Sequence, residues 1–126
     1  RTRVGGSGEW LLPIAGLPLC CRVAEGAAAD WNGHRNLMLL VGATSPRDMA
    51  DLRRAHPDLP FLVPGIGAQG GDLEATLAAG LDARGAGVLL SASRSLIYAG
   101  GGASAAIGAA TAELHAAINR ERAKRR

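Results

Sequence analysis

Residues 60–72 read Pro-Phe-Leu-Val-Pro-Gly-Ile-Gly-Ala-Gln-Gly-Gly-Asp, and this stretch decides the fold. The apolar run Pro60–Val63 predicts a strand covered on both faces, as in a parallel sheet. The glycine-rich string 64–71 predicts a turn, and Asp72 is typical of the residue that caps a following helix, here 72–79. A strand, a turn and a helix in this order indicate one unit of an α/β fold.

The same unit occurs on both sides of this stretch. Apolar runs at 37–41 and 87–90 predict two further strands, and helices are expected from Pro46 to about Ala55 and over about 103–122. Ser45 can cap the first of these helices, with Pro46 at its first position. No tight hairpin turn follows these strands, so the sheet should be parallel with crossover helices.

Before the first of these strands, the chain shows a loop and then a helix. Residues 1–18 are punctuated by glycine and proline and predict a loop anchored by Trp10-Leu11-Leu12. A helix is expected over 19–31, because apolar residues recur at every fourth position up to Trp31, which should lie in the core. The predicted domains are therefore an N-terminal remnant, 1–18, and one α/β domain, 19–126.

Three strands do not make a comfortable parallel sheet, because each edge would expose unpaired backbone groups and apolar faces. A complete (β/α)8 barrel needs roughly 250 residues, about twice the length of this chain. We therefore expect the C-terminal half of a TIM barrel, carrying strands six to eight, with the other half encoded upstream. Such a half is expected either to self-associate or to pair with its missing N-terminal half.

Composition limits the possible partners. The chain has 126 residues, of which 48% are apolar, enough for one small packed domain. Of its 14 basic and 11 acidic residues, the last seven contribute five and one, so the remainder has a net charge of −1. The basic tail is expected to be a solvated, frayed helix end, because cations are favoured there. No nucleic acid partner is predicted.

Cysteine usage and hydropathy indicate a cytoplasmic location. Cys20 and Cys21 are adjacent and belong to no disulfide framework, which fits a reducing compartment. No apolar run reaches the roughly 20 residues of a membrane span, so no membrane association is expected. No set of metal ligands at suitable spacing is visible, and no cofactor is predicted.

The glycine-rich turn and the end of the last strand together predict an anion site. The glycines allow the backbone to approach a phosphate, and Gln69 offers an amide donor. Arg94, at the end of the next strand, offers a planar fork for two phosphate oxygens. Both groups then lie at the carboxyl ends of neighbouring parallel strands, where α/β barrels bind ligands.

Three segments, taken in order and at their spacing, resemble orotidine 5'-phosphate decarboxylase, in particular the longer bacterial group of that family. They are Val41-Gly42-Ala43-Thr44-Ser45-Pro46, the stretch from Phe61 to Asp72, and Ser93-Arg94-Ser95-Leu96-Ile97-Tyr98-Ala99. The resemblance implies a TIM barrel that converts orotidine monophosphate to uridine monophosphate in pyrimidine biosynthesis, without a cofactor. It covers the chain from about Pro18 onward.

The resemblance also implies roles for individual residues. Gln69 would reach the phosphate and the pyrimidine edge, while Arg94 and the backbone near Ser93 would hold the phosphate. Three further kinds of candidate remain. Thr44 would offer a hydroxyl to the pocket, and Pro64 and Gly65 would line the pyrimidine pocket. Gly67 and Gly70 are glycines of the phosphate loop.

No catalytic residue is predicted in this chain. The family's Asp-x-Lys-x-x-Asp array is absent from the sequence, whose single lysine is Lys124 in the basic tail. Two other interpretations remain open. One is a non-catalytic half-barrel that binds nucleotide phosphate or pairs with another copy, and the other is a different phosphate-binding barrel, such as one acting on sugar phosphates.

Overall fold

The computed structural model describes residues 13, 14, 16–67 and 71–125. The predicted anchor at 10–12 and the loop residues Gln69 and Gly70 lie outside these residues. The chain divides into two compact units, Arg1–Leu37 and Met38–Arg126.

The first unit contains a short hairpin and a helix. Strands β1 (Pro13–Ile14) and β2 (Leu17–Pro18) pair antiparallel where the sequence predicts a loop. Helix α1 (Leu19–Ala28) follows directly. The antiparallel pair is too short to form a sheet of its own, and it leads the chain into α1.

The prediction that Trp31 is a core residue is wrong. Helix α1 ends at Ala28, three residues earlier than expected, and Trp31 is 62% exposed. The Trp31 amide bonds to the Gly26 carbonyl at 2.9 Å, which turns the chain back on the helix. A methyl group on Gly26 would lie only 2.7 Å from the indole ring, so one part of the ring lies against Gly26 and the rest faces outward.

The second unit contains a three-stranded parallel sheet in the order β3-β4-β5, as the sequence predicts. The strands are β3 (Leu39–Leu40), β4 (Phe61–Pro64) and β5 (Val88–Ser91). The central strand β4 pairs on both sides, in the register Leu40↔Leu62↔Leu89. Helices α2 (Pro46–Ala55) and α3 (Leu73–Gly80) connect consecutive strands and pack against each other.

The two faces of the sheet differ in burial. Phe61 and Val63 of β4 are fully buried, together with Met49 of α2 and Leu77 of α3. Side chains alternate between the faces of a strand, so Leu62 belongs to the opposite face. Its neighbours in that row, Leu40 and Leu89, are 69% and 55% exposed. The sheet is therefore covered on one face and presents an apolar row on the other.

The helix starts agree only in part with the capping predictions. Pro46 begins α2 with Ser45 at the capping position, as predicted, but the Ser45 side chain makes no capping hydrogen bond. The Ser45 backbone carbonyl instead accepts from the Met49 amide at 3.1 Å. At α3 the prediction is confirmed, because Asp72 Oδ1 accepts from the Ala75 amide at 3.1 Å.

Arg53 of α2 is a buried arginine at the amino ends of the strands. Its guanidinium donates to carbonyls on three segments: Gly80 at 2.7 Å, Leu59 at 2.7 Å and Gly87 at 3.0 Å. It also lies over the Phe61 ring, 4.0 Å from the ring centroid. Burial lowers the pKa of Arg53, while the charges of Asp82 and Asp58 act to raise it. One side chain thereby joins α2, α3 and the starts of two strands.

Asp82 closes the loop between α3 and β5. It is buried and accepts from the Ala86 amide at 2.8 Å, the Arg84 amide at 2.9 Å and the Arg84 guanidinium at 3.0 Å. Burial alone would raise the pKa of Asp82, but these hydrogen bonds outweigh it and hold the pKa below the usual value. The loop is thus fixed by an ionised carboxylate.

The basic C-terminal tail is anchored, so the prediction of a frayed end is wrong, while the exposure of Arg120, Lys124 and Arg125 agrees with the predicted solvation. After α4 (Arg94–Ile97) and a 3-10 turn (Ala99–Gly102), helix α5 runs from Ser104 to Ala123. Arg122 donates to the Gly85 carbonyl at 2.7 Å, and Lys124 bridges Glu74 of α3 and Glu121 at 3.0 and 2.8 Å. These acidic partners raise the pKa of Lys124. The tail therefore joins α5 to α3 and to the loop that follows it.

Replacing Gly108 by alanine should stabilise the protein. Gly108 lies inside α5, and a methyl group there would have no atom within 4 Å. Alanine restricts the unfolded chain and favours the helix, so we expect the free energy of unfolding to rise by about 0.5–1 kcal/mol in a urea titration. Gly26→Ala in α1 is the matched control and should destabilise, because its methyl group meets Trp31. A destabilised Gly108→Ala would contradict the helix at this position.

Candidate functional site

Three loops meet at the carboxyl ends of the parallel strands. The loops follow β3, β4 and β5. One backbone hydrogen bond joins the loop after β3 to the end of β4, and another closes the loop after β4 on itself. The Ala43 amide donates to the Pro64 carbonyl at 3.1 Å, and the Gly71 amide donates to the Gly65 carbonyl at 3.2 Å. The loop after β4 thus leaves the strand at Pro64 and returns beside its own start.

The glycines of this loop serve backbone conformation and close packing. Gly65 and Gly67 have φ angles of +99° and +76°, which other residues adopt only with strain. A methyl group on Gly67 would lie 3.5 Å from Cβ of Ser95. A methyl group on Gly71 would lie 2.6 Å from Cβ of Ala43 and from the Gly65 oxygen. Gly71 therefore packs closely against Ala43 in the loop after β3, while a space of about one methyl group separates Gly67 from Ser95 at the start of α4.

Ser93 and Arg94 lie where the last strand leads into α4. Both residues are exposed, and the Ser93 carbonyl accepts from the amides of Leu96 and Ile97 at 3.2 and 2.8 Å. Arg94 is the first residue of α4 and has no side-chain partner among the described residues. Its guanidinium is therefore available to a ligand at the rim.

The structure places the described site residues on the three loops that follow the strands. Pro64, Gly65 and Gly67 are close in sequence at the end of β4, and Gly67 lies near Ser95, the residue after Arg94. Thr44 is exposed in the turn after β3, directly after the buried Ala43. Gln69 and Gly70 lie outside the described residues, so the pairing of the Gln69 amide with the Arg94 guanidinium stays a prediction.

Two residues at this edge were not among the sequence-based candidates. Ser95 lies near Gly67, and its position directly after Arg94 is the signal that the sequence offers. Thr76 of α3 is fully buried, and its hydroxyl donates to the Ala43 carbonyl at 3.5 Å. No local motif marks Thr76, because its contact joins residues 33 positions apart.

Among the described residues, the groups with shifted pKa values lie away from the carboxyl ends of the strands. Arg53 and Asp82 lie at the amino ends of the strands, and Lys124 lies at the end of α5. A cleft of about 230 Å³ lies between α3 and α5 and is lined by residues such as Leu77 and Lys124. It is also remote from the carboxyl ends of the strands. The amino-end groups stabilise the fold, which leaves the carboxyl ends for a ligand.

In the described part of the chain, no group of three or more His, Cys, Asp or Glu side chains is arranged to hold a metal ion. Within the same residues, no helix has both the length and the apolar character needed to cross a membrane.

The fold and the position of this edge define part of an α/β barrel whose candidate site lies at the carboxyl ends of its strands. The chain is homologous to orotidine 5'-phosphate decarboxylase, as the sequence predicts. It is 47% identical over 117 residues to the decarboxylase of Azoarcus sp., a match that covers 91% of this chain and 43% of the relative. With the decarboxylase of Cellvibrio japonicus it shares 50% identity over 91 residues, 72% of this chain and 33% of the relative.

Solved structures give the same result. OMP decarboxylase from Leishmania donovani aligns with a TM-score of 0.81 at 38% identity, over 97% of this chain and 45% of that one. UMP synthase from the same organism aligns with a TM-score of 0.83 at 43% identity, over 97% of this chain and 26% of that one. No family model matches the chain. The chain spans less than half the length of these relatives.

Proposed function

We propose that this chain forms the phosphate- and pyrimidine-binding part of an orotidine 5'-phosphate decarboxylase, which makes uridine monophosphate in pyrimidine biosynthesis. The close approach of Gly67 to Ser95 supports the proposal, because a methyl group on Gly67 would lie 3.5 Å from Cβ of Ser95, the residue that follows Ser93 and Arg94. Homology to named decarboxylases supports the choice of substrate.

The chemistry of these residues suits a nucleoside monophosphate. Arg94 can donate two parallel hydrogen bonds to phosphate oxygens, and the Gln69 amide adds a further donor. The pyrimidine would be held at the carboxyl ends of β3 and β4, where Thr44 follows β3 and Pro64 and Gly65 lie at the end of β4. Binding energy from the phosphate, which does not react, can orient the base and help to offset the barrier to losing carbon dioxide.

In this proposal, catalysis requires the complete barrel, because the catalytic residues lie outside this chain. The sequence has no Asp-x-Lys-x-x-Asp array, and its single lysine, Lys124, is bound to Glu74 and Glu121 on the outer helices. We expect the 126-residue chain alone to bind nucleotide weakly and not to decarboxylate it. The protein would work in the cytoplasm, because its two cysteines are adjacent in sequence and fit no disulfide framework.

Arg94→Ala should weaken binding of uridine monophosphate. Loss of a charge-assisted contact to phosphate is expected to raise the dissociation constant about tenfold or more, measured by calorimetric or NMR titration of the full chain. Arg120→Ala, an exposed arginine of α5, is the matched control and should bind as the wild type does.

Two comparisons separate this proposal from its alternatives. Uridine, which lacks the phosphate, should bind far more weakly than its monophosphate, and a sugar phosphate should bind less tightly than the nucleotide. Equal binding of uridine, or an Arg94→Ala variant with wild-type affinity, would contradict the phosphate site. Preference for the sugar phosphate would favour the other class of barrel.

The exposed apolar row of the sheet supports self-association as a second property. Leu40 and Leu89 flank Leu62 on the uncovered face, and burying such side chains stabilises a complex by about 25 cal/mol per Å². We expect the purified chain to sediment as a dimer or larger species, and Leu89→Glu to shift it towards monomer. Ile97→Glu, an exposed apolar position outside the sheet, is the control. A monomeric wild type would contradict self-association.

A further inference from the structure

Ala43 joins the two loops that carry the candidate site. Its amide donates to the Pro64 carbonyl at 3.1 Å, at the end of β4. Its methyl group faces Gly71, where an added Cβ would come within 2.6 Å. Ala43 is almost fully buried and is followed directly by Thr44, so its position fixes where Thr44 lies.

Thr76 is the polar side chain beneath this junction. It lies on α3, is fully buried, and donates its hydroxyl to the Ala43 carbonyl at 3.5 Å. The bond is long, but the described residues leave no buried side-chain nitrogen or oxygen without a partner. An unsatisfied buried hydroxyl is costly, so Thr76 favours the arrangement in which Ala43 stays in place.

We propose that Thr76 is a positioning residue for the nucleotide site. Its hydroxyl, which is buried away from solvent, holds Ala43 against Gly71 and so sets the spacing between the Thr44 turn and the glycine-rich loop. This inference rests on the proposed function for its ligand, a nucleoside monophosphate. Its structural claim, that Thr76 orders the two loops, can be tested without a ligand.

The test compares Thr76→Val, which removes the hydroxyl at similar volume, with Thr76→Ser, which keeps it, in the full chain. Thr76→Val should weaken uridine monophosphate binding about five- to tenfold and speed amide exchange at residues 43–45, 65–67 and 71 by a similar factor. Thr76→Ser should restore both values to near the wild type. Thr111→Val is the matched control, because the Thr111 hydroxyl bonds within α5, to Ile107 at 2.8 Å.

The outcomes separate the two proposals. If the wild type fails to bind the nucleotide, the proposed function falls, and loop exchange still decides the role of Thr76. If Thr76→Val keeps wild-type affinity and loop exchange, the role of Thr76 is overturned. If the Thr76→Val variant does not fold, amide hydrogen exchange of the wild type provides the test. A slow Ala43 amide beside a fast Thr44 amide supports the junction between the two loops, and equally fast exchange of both amides overturns it.

Discussion

Arg53→Met should lower the free energy of unfolding by about 3–5 kcal/mol, a large share of the roughly 5–15 kcal/mol that holds a small domain together. The arginine donates to Gly80, Leu59 and Gly87, and also to His56 and Pro57 at 3.3 and 2.9 Å. Methionine fills similar space but removes all of these donors. The buried bonds to Gly80 and Leu59 are the costliest to lose, whereas the Gly87 and His56 carbonyls still accept from the Phe61 and Leu59 amides. Urea or thermal unfolding monitored by circular dichroism measures the change.

Arg54→Met is the matched control for this experiment. Arg54 is the next residue of α2, and its exposed side chain pairs with Asp51 at 2.8 Å. Exposed pairs of this kind contribute little, so the change should stay within about 0.5 kcal/mol. Arg53→Lys should lie between the two, because an ammonium group cannot reach carbonyls on several segments at once. Equal stabilities of the Arg53→Met and Arg54→Met variants would contradict the structural role of Arg53.

Gly71→Ala should disturb both the fold and the candidate site. The new methyl group would lie 2.6 Å from Cβ of Ala43 and from the Gly65 carbonyl oxygen, so at least one loop must move. Overpacking of this kind typically costs about 1–3 kcal/mol of stability. Displaced loops should also weaken uridine monophosphate binding about tenfold or more, because binding depends on the geometry of the contacting groups.

Gly42→Ala separates this steric effect from the loss of a glycine. Gly42 lies in the neighbouring loop, and its nearest atom to an added methyl group is the Thr44 hydroxyl oxygen at 3.8 Å, an ordinary contact. Stability and binding should therefore remain close to the wild type. If Gly71→Ala behaves as Gly42→Ala does, the close packing of the glycine-rich loop on Ala43 is not required for the site.

The sheet could be predicted because local sequence and tertiary structure agree there. The apolar runs ending at Val41, Val63 and Leu90 each lie between turn residues, and the structure pairs them as parallel strands. Helix α3 begins at its predicted cap, Asp72. Trp31 was misplaced because a four-residue spacing says nothing about where a helix ends, and here the chain turns after Ala28.

Long-range contacts explain what the sequence could not predict. The tail was expected to fray, yet Arg122 reaches Gly85 and Lys124 reaches Glu74, partners 37 and 50 residues away. The anchoring of Arg53 has the same origin. At the site, the glycine-rich string marked its own loop, but the packing of Gly71 on Ala43 and the bond from Thr76 depend on how β3, β4 and α3 assemble. Spacing along the chain does not encode these distances.

The acceptors around Arg53 are all main-chain oxygens, and this has a consequence for sequence divergence. Every amino acid carries such an oxygen, so exchanging the side chains of His56, Pro57 or Leu59 leaves the acceptors themselves in place. Changes at His56 and Pro57 therefore leave Arg53 its acceptors, whereas the side chain of Leu59 is constrained by its burial in the core. The strand starts of this domain depend on one side chain and on the path of the polypeptide around it.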